Sequence, residues 1–335
     1  MNKIITGNAI EVLKEIPDCT ADCCITSPPY LGLRDYGVNG QIGLEKSVEA
    51  YINRLTDIFR EVRRVLKDDA TLWLNMGDSY AGSTKGRKKD GQHSNEASKS
   101  GDYYSTFNDR LQYKKIPGYK NKDLMGIPWL LAFTLRNDGW YLRQDIIWEK
   151  PNAMPESVKD RCTKSHEYIF LFSKQPKYYF DYEAIREPAV GFNNIMPAGS
   201  KGTLRPNSRL RKGNSRTFRG GGAYTKGQSF NNSAEVTRES HGNNENMTGL
   251  RNKRSVWTVA TQGYKEAHFA TFPEKLIEPC VLAGSKEGGI ILDPFLGSGT
   301  TAAVAKKHNR GFIGIELNPK YAEMAKRRLE GSHDN

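Results

Sequence analysis

Thr26-Ser27-Pro28-Pro29-Tyr30 is the segment of this 335-residue chain whose residue types point most directly to chemistry. It follows Asp22-Cys23-Cys24-Ile25-Thr26, which reads as a short buried strand that stops at the two prolines. Each proline drives its predecessor towards extended backbone and removes its own N–H. The product is a stiff segment with outward carbonyls, no competing donors and an aromatic ring directly after it. A backbone carbonyl and the Ser27 hydroxyl can there accept hydrogens from an –NH2 group while Tyr30 stacks on a flat ring. The conjugated amino nitrogen of cytosine or adenine is a weak nucleophile. Accepting its hydrogens returns electron density to nitrogen as it attacks a methyl group. That help is positioning plus electrostatics, with no covalent enzyme intermediate.

A second constellation lies far along the chain. Ile290 to Thr301 reads as an apolar strand, a glycine turn and a helix start, with Asp293-Pro294-Phe295-Leu296-Gly297-Ser298-Gly299-Thr300 at the junction. In a doubly wound sheet, ligands bind outside the carboxyl ends of strands. The next strand, Phe312 to Ile315, ends in Glu316, a carboxylate placed to accept hydrogen bonds from ribose hydroxyls. The pattern fits a nucleoside-type cofactor. It departs from the dinucleotide fingerprint, because Ala302 stands where a third glycine is expected. Asp293 would repel a pyrophosphate and could hold a cationic methionine amino group. S-adenosylmethionine is therefore expected ahead of a nicotinamide, whose oxidoreductases are the alternative from another enzyme class.

The elements that position these motifs alternate. Strand, helix, strand is read over Lys3–Ile5, Ala9–Leu13 (with Asn8 as N-cap) and Asp22–Thr26. A helix over Val48–Leu66 has apolar Tyr51, Ile52, Leu55, Ile58, Phe59, Val62 and Leu66 at helical spacing, and a strand follows at Ala70–Asn75. Further on come a helix at Pro128–Arg136 and strands at Trp140–Trp148 and His166–Phe172. The last segment gives helices at Pro273–Ala283, Thr300–Lys307 and Tyr321–Leu329, with strands at Gly289–Leu292 and Gly311–Ile315. This alternation predicts an α/β fold built on a parallel sheet with helices on both faces. Residues 81–122 read as a long mobile loop, 187–255 as a basic insertion and 331–335 as a tail. The catalytic and cofactor-binding domain is then 1–186 with 256–330.

Lys and Arg outnumber Asp and Glu by 50 to 38, a surplus that suits a polyanionic partner. Residues 191–255 alone carry twelve Lys and Arg against three Glu, amid Gly, Asn and Ser. Lys201, Arg205, Arg209, Arg211, Lys212, Arg216 and Arg219 cluster there and are expected to contact DNA. Five cysteines without a Cys-x-x-Cys pair, and an N-terminus without a signal-peptide core, predict a cytoplasmic protein. No run is long enough to span a bilayer. The six histidines show no paired metal-ligand spacing, so no metal is expected. Cys280 lies within an amphipathic helix and reads as a packing residue, as do Trp148 and Trp257.

Taken together, the two motifs resemble the DNA amino-methyltransferases, particularly the circularly permuted β class, in which the catalytic motif precedes the recognition region and the cofactor loop comes last. Gly7-Asn8 is similar to that family's Gly-Asp element, with Asn for Asp. Asp145 to Asn152 resembles the strand and loop that help form the target-base pocket, and His268 to Pro273 the segment over the methionine part of the cofactor. The resemblance covers roughly residues 1–79, 126–180 and 256–329. It implies a Rossmann-like, circularly permuted S-adenosylmethionine-dependent sheet with a loop-rich inserted recognition region. Ser27, Pro28, Pro29 and Tyr30 are then catalytic. Asn8, His268, Phe272, Asp293, Pro294, Phe295, Gly297, Ser298, Gly299, Thr300, Glu316 and Asn318 form the cofactor set. The implied activity is methyl transfer to a flipped-out base in double-stranded DNA. Ser27 favours cytosine N4, with adenine N6 as the alternative. The strand bearing Asp293 should lie beside the N-terminal strands. The resemblance leaves a homodimer and a cognate restriction endonuclease open as partners.

Overall fold

The computed structural model describes residues 1–33, 37–82, 116–189, 250–262 and 272–330. His268 and the cluster from Lys201 to Arg219 lie outside the described residues, as does most of the segment read as a mobile loop.

By its internal contacts the chain divides into two units, Met1–Ile185 with Lys253–Asn335, and Arg186–Asn252. In the first unit an eight-stranded sheet forms from β1 (Asn2–Thr6), β2 (Ala21–Thr26), β3 (Leu66–Met76), β4 (Tyr141–Glu149), β5 (His166–Ser173), β8 (Val256–Thr258), β9 (Ile290–Asp293) and β10 (Gly311–Glu316). Its order is β1-β10-β9-β2-β3-β5-β4-β8. The strand bearing Asp293 thus pairs directly with β2, Cys23 against Ile291 and Cys24 against Leu292. In the second unit β6 (Glu187–Pro188) pairs antiparallel with β7 (Leu250–Arg251), and Arg251 bonds Glu187 at 3.0 Å.

The sheet is not wholly parallel, which corrects the expectation from alternation. β5 runs antiparallel to both neighbours, β3 and β4, while the other pairings are parallel. The reason lies in the connections. Parallel neighbours need a crossover, and α3 (Ile127–Asn137) lies on the path from β3 to β4. Residues 150–165 contain no helix, so the chain turns back and fills the gap between β3 and β4 in the opposite direction.

Period-2 alternation sends strand side chains to two cores. Cys24, Leu72, Leu74, Phe170 and Phe172 pack with α1 (Ala9–Glu15), α2 (Val48–Val65) and α3. Cys23, Ile25, Trp73, Ile169 and Leu171 pack with α4 (Glu274–Gly284), α5 (Thr300–Lys307) and α6 (Pro319–Glu330). Helix α2 starts at Ser47, whose hydroxyl accepts from the Ala50 N–H at 3.1 Å. Its stripe of Tyr51, Leu55, Ile58, Phe59 and Val62 is essentially sealed from solvent. Truncating such a side chain to Ala costs on the order of 2–5 kcal/mol.

Candidate active site

The carboxyl ends of β9, β10, β2, β3 and β4 open onto a cavity of about 610 Å³, within the size range of small-molecule sites. The reversed strand β5 contributes its amino end to the same edge. Ser27, Pro28, Pro29 and Tyr30 line one side. Gly7, Asn8, Phe272, Pro294, Phe295, Gly297, Ser298, Thr300, Glu316 and Asn318 line the other. The two motifs, from opposite ends of the chain, therefore share one chamber.

Two of the sequence-derived cofactor residues among the described residues, Asp293 and Gly299, do not line it. Asp293 is 2% exposed, and its carboxylate is filled by its own chain. Oδ1 accepts from the Thr26 hydroxyl at 2.6 Å and the Phe295 N–H at 3.0 Å, and Oδ2 accepts from the Thr301 hydroxyl at 2.6 Å. Burial pushes this carboxyl up to about 6, against the pull of those three donors. Asp293 thus ties β2 to the glycine loop and does not present charge to a ligand. Gly299 is required for packing: it has φ +85°, and a Cβ there would lie 2.9 Å from the Ala325 Cβ on α6.

Glu316 is arranged differently. Oε2 accepts from the Gly297 N–H and Oε1 from the Asn318 N–H, both at 2.8 Å, while the residue still faces the cavity. A carboxylate offers about four acceptor positions, so capacity remains for a further donor from the chamber side. Burial raises the Glu316 carboxyl, opposed by these N–H groups. Asn8 does cap α1, accepting from the Ile10 N–H at 3.2 Å, and also lines the chamber. A carboxylate for vicinal hydroxyls, apolar Phe295 and Pro294, and a tight glycine turn suit a nucleoside cofactor. Among the described residues no group of three His, Cys, Asp or Glu is arranged to hold a metal. Cys280 is sealed in the core, where burial pushes its thiol well up, so it is no nucleophile.

Around Ser27 the structure adds Tyr51, Asn75 and Glu167, which the motifs did not reveal, and brings in Lys150 from the Asp145–Asn152 segment together with Trp148, which was read as a packing residue. Tyr51 on α2 donates to the Pro29 carbonyl at 2.8 Å. One lone pair of that carbonyl is therefore taken, and Ser27, Pro28 and Pro29 all line the chamber. The Tyr30 hydroxyl donates to Glu167 at 2.8 Å and lies 3.5 Å from the Ser27 hydroxyl. Asn75 donates to the same Glu167 oxygen at 3.3 Å, and the Lys150 ammonium pairs with the other oxygen. Lys150 also stands 4.2 Å over the Trp148 ring. Asn75, Trp148, Lys150 and Glu167 all line the chamber. Burial, then the Glu167 charge, raises the Tyr30 phenol well above its ordinary range, so it stays a hydrogen-bond donor. Gly77 leaves room for this cluster, since a Cβ there would lie 2.9 Å from the Tyr30 ring and 3.1 Å from the Glu167 carboxyl carbon. The available signal was a polar residue near the end of an apolar strand: Asn75 is the penultimate residue of β3 and Glu167 the second of β5.

Among the described residues no helix is long and apolar enough to cross a membrane. A family model of DNA methylases matches residues 21–327. The chain is 41% identical over 333 residues to the type II methyltransferase M.Cfr9I of Citrobacter freundii, covering 99% of this chain and 89% of that protein. It is 43% identical over 330 residues to the type II methyltransferase M.SmaI of Serratia marcescens, covering 98% and 90%. Solved structures share the fold. The PvuII DNA methyltransferase (cytosine-N4-specific) superposes with a TM-score of 0.60 at 16% identity, covering 98% of this chain and 86% of that one. A putative DNA modification methylase of Thermus thermophilus, complexed with S-adenosyl-L-methionine, gives 0.56 at 20% identity, covering 100% and 96%. A glycine loop and a Ser-Pro-Pro-Tyr segment facing one chamber, in a chain matched along nearly its whole length by these enzymes, place this protein in the N6_N4_Mtase family of DNA methylases.

Proposed function

We propose that the protein transfers a methyl group from S-adenosylmethionine to the exocyclic N4 of cytosine, in a base turned out of double-stranded DNA. The observation that carries this reading is the shared chamber: an uncharged acceptor pair, Ser27 and the Pro28 carbonyl, opposite a carboxylate and glycine loop suited to a nucleoside. When bound, S-adenosylmethionine supplies an electrophilic methyl group carried on a sulfonium. Glu316, Phe295, Gly297 and Asn318 would hold it. Ser27 and the Pro28 carbonyl accept the amino hydrogens and orient the nitrogen. Tyr30, pinned through its hydroxyl by Glu167, offers its ring to the base. Fixing the acceptors before the base arrives avoids reorganisation at the moment of reaction.

The unit Arg186–Asn252 is assigned to target recognition, with Lys201, Arg205, Arg209, Arg211, Lys212, Arg216 and Arg219 on phosphates and base edges. The motif order, catalytic segment first and cofactor loop last, is that of a circularly permuted enzyme. A restriction endonuclease reading the same sequence is the expected partner. The test is nucleoside mass spectrometry of DNA methylated by the purified protein. N4-methylcytosine is expected; N6-methyladenine alone would replace the assigned base, and no transfer to any duplex would overturn the reading.

A further inference from the structure

Met154 is 85% exposed, the most exposed of the large apolar side chains among the described residues. It stands on the 150–165 connection between β4 and β5, and that connection is braced. Asn152 is clasped to Thr261 by three hydrogen bonds, at 2.8, 3.1 and 3.1 Å. The Ala153 N–H closes a turn on the Lys150 carbonyl at 3.2 Å. Arg161 bonds Glu156 at 2.6 Å and stacks 4.0 Å over the Tyr80 ring. Lys150 and Thr261, the two residues that anchor the turn, both line the chamber. An unbranched apolar side chain thus stands out in solvent, directly after a fixed turn whose two anchors line the chamber.

Leaving such a side chain in water is unfavourable, and the residues that precede it are fixed by these bonds. The chemistry a flipped base leaves behind is a gap between two apolar base faces. Apolar wedges that enter such gaps are a general device for unstacking a duplex, and a flexible thioether fills an irregular gap well. Lys150 is paired with Glu167, Arg161 with Glu156 and Lys122 with Asp160, so the cationic character the loop offers to flanking phosphates rests on Lys159 and Lys164.

We propose that Met154 enters the DNA stack beside the target base and stabilises its extruded state. This rests on the reading of duplex DNA as the substrate. The full-length protein is titrated with a duplex carrying 2-aminopurine at the target position, whose emission reports unstacking without methyl transfer. The wild type should raise the emission severalfold. M154A should lower the extruded fraction about tenfold, and Met154→Leu should restore most of it. M154A should also bind S-adenosylmethionine as the wild type does. On a duplex with an abasic site opposite the target, where the base has no partner to leave, M154A should methylate within twofold of the wild type. Emission from M154A equal to the wild type, or an equal loss of turnover on the abasic duplex, would overturn the wedge. A wild type that methylates no duplex would instead overturn the underlying reading.

Discussion

Asp293 and Glu167 stand at the same edge of the sheet, and each collects three donors, but the donors differ in kind. Those of Asp293 are two threonine hydroxyls and a backbone N–H, none of which opens onto the chamber through the carboxylate. Those of Glu167 are Tyr30, Asn75 and Lys150, three side chains that themselves line it. The cofactor half is therefore framed by backbone geometry, with the carboxylate sealed behind it. The base half is framed by side chains hung on one hub that faces the chamber. The first arrangement fixes a loop; the second sets the identity and direction of the groups a substrate meets, and a few substitutions can retune it.

The sharpest break of this contrast is Glu167→Ala. It frees Tyr30, Asn75 and Lys150 together, and a displacement of about 1 Å at the reacting centre costs on the order of 100-fold in turnover. Equilibrium titration should show cofactor affinity within about twofold of the wild type, since no cofactor-side contact changes; equal turnover would remove the hub role. Glu316→Ala should do the reverse. Losing a buried carboxylate that accepts from a ligand weakens S-adenosylmethionine binding by roughly ten- to a hundredfold in calorimetry. An unchanged Kd would move the cofactor site elsewhere. Replacing Lys201, Arg205 and Arg209 by Ala together should leave both halves intact and flatten the log–log salt dependence of DNA affinity by roughly two to three units.

The smallest effect belongs to Asp293→Asn and appears in stability. Burial raises the carboxyl from 3.8 to about 6, so between those values the folded protein holds a proton that the unfolded chain has released. Its stabilising contribution is full below the unfolded value and fades as pH rises through the folded one. The wild type should lose about 1 kcal/mol between about pH 5 and 7.5 that the Asn variant keeps, read by urea unfolding at the two pH values. A constant difference between the two proteins would show that the carboxyl titrates normally.

What was legible in the sequence follows the same division. Cofactor-side geometry is local: a strand, a glycine turn and a helix lie within Ile290–Lys307, so the string of residues announces them. The helical stripe of α2 and the two prolines after β2 are equally local. The hub at Glu167 was not legible, because its position depends on strand direction. In a parallel sheet the first residues of His166–Ser173 would lie at the opposite edge; only the reversal of β5 brings Glu167 to Tyr30, 137 residues away. Asp293 departs from expectation for a related reason. A carboxylate before a glycine loop invites a ligand, and the separation of 267 positions from Thr26 hides the hydroxyl that already occupies it.

The pairing of β2 with β9 carries a consequence for how the protein is made. The strands that carry the base-side hub are complete once Ser173 has left the ribosome, but β2 keeps one bare edge until Ile290–Asp293 is synthesised. At ordinary translation rates that wait is roughly 10 s, during which Cys23, Cys24 and Ile25 offer unpaired N–H and C=O groups to any passing strand. Nascent chains should therefore lean on chaperones in this interval, and a ribosome that stalls within it releases a half-sheet that carries the acceptors for a base and lacks the loop for a methyl donor.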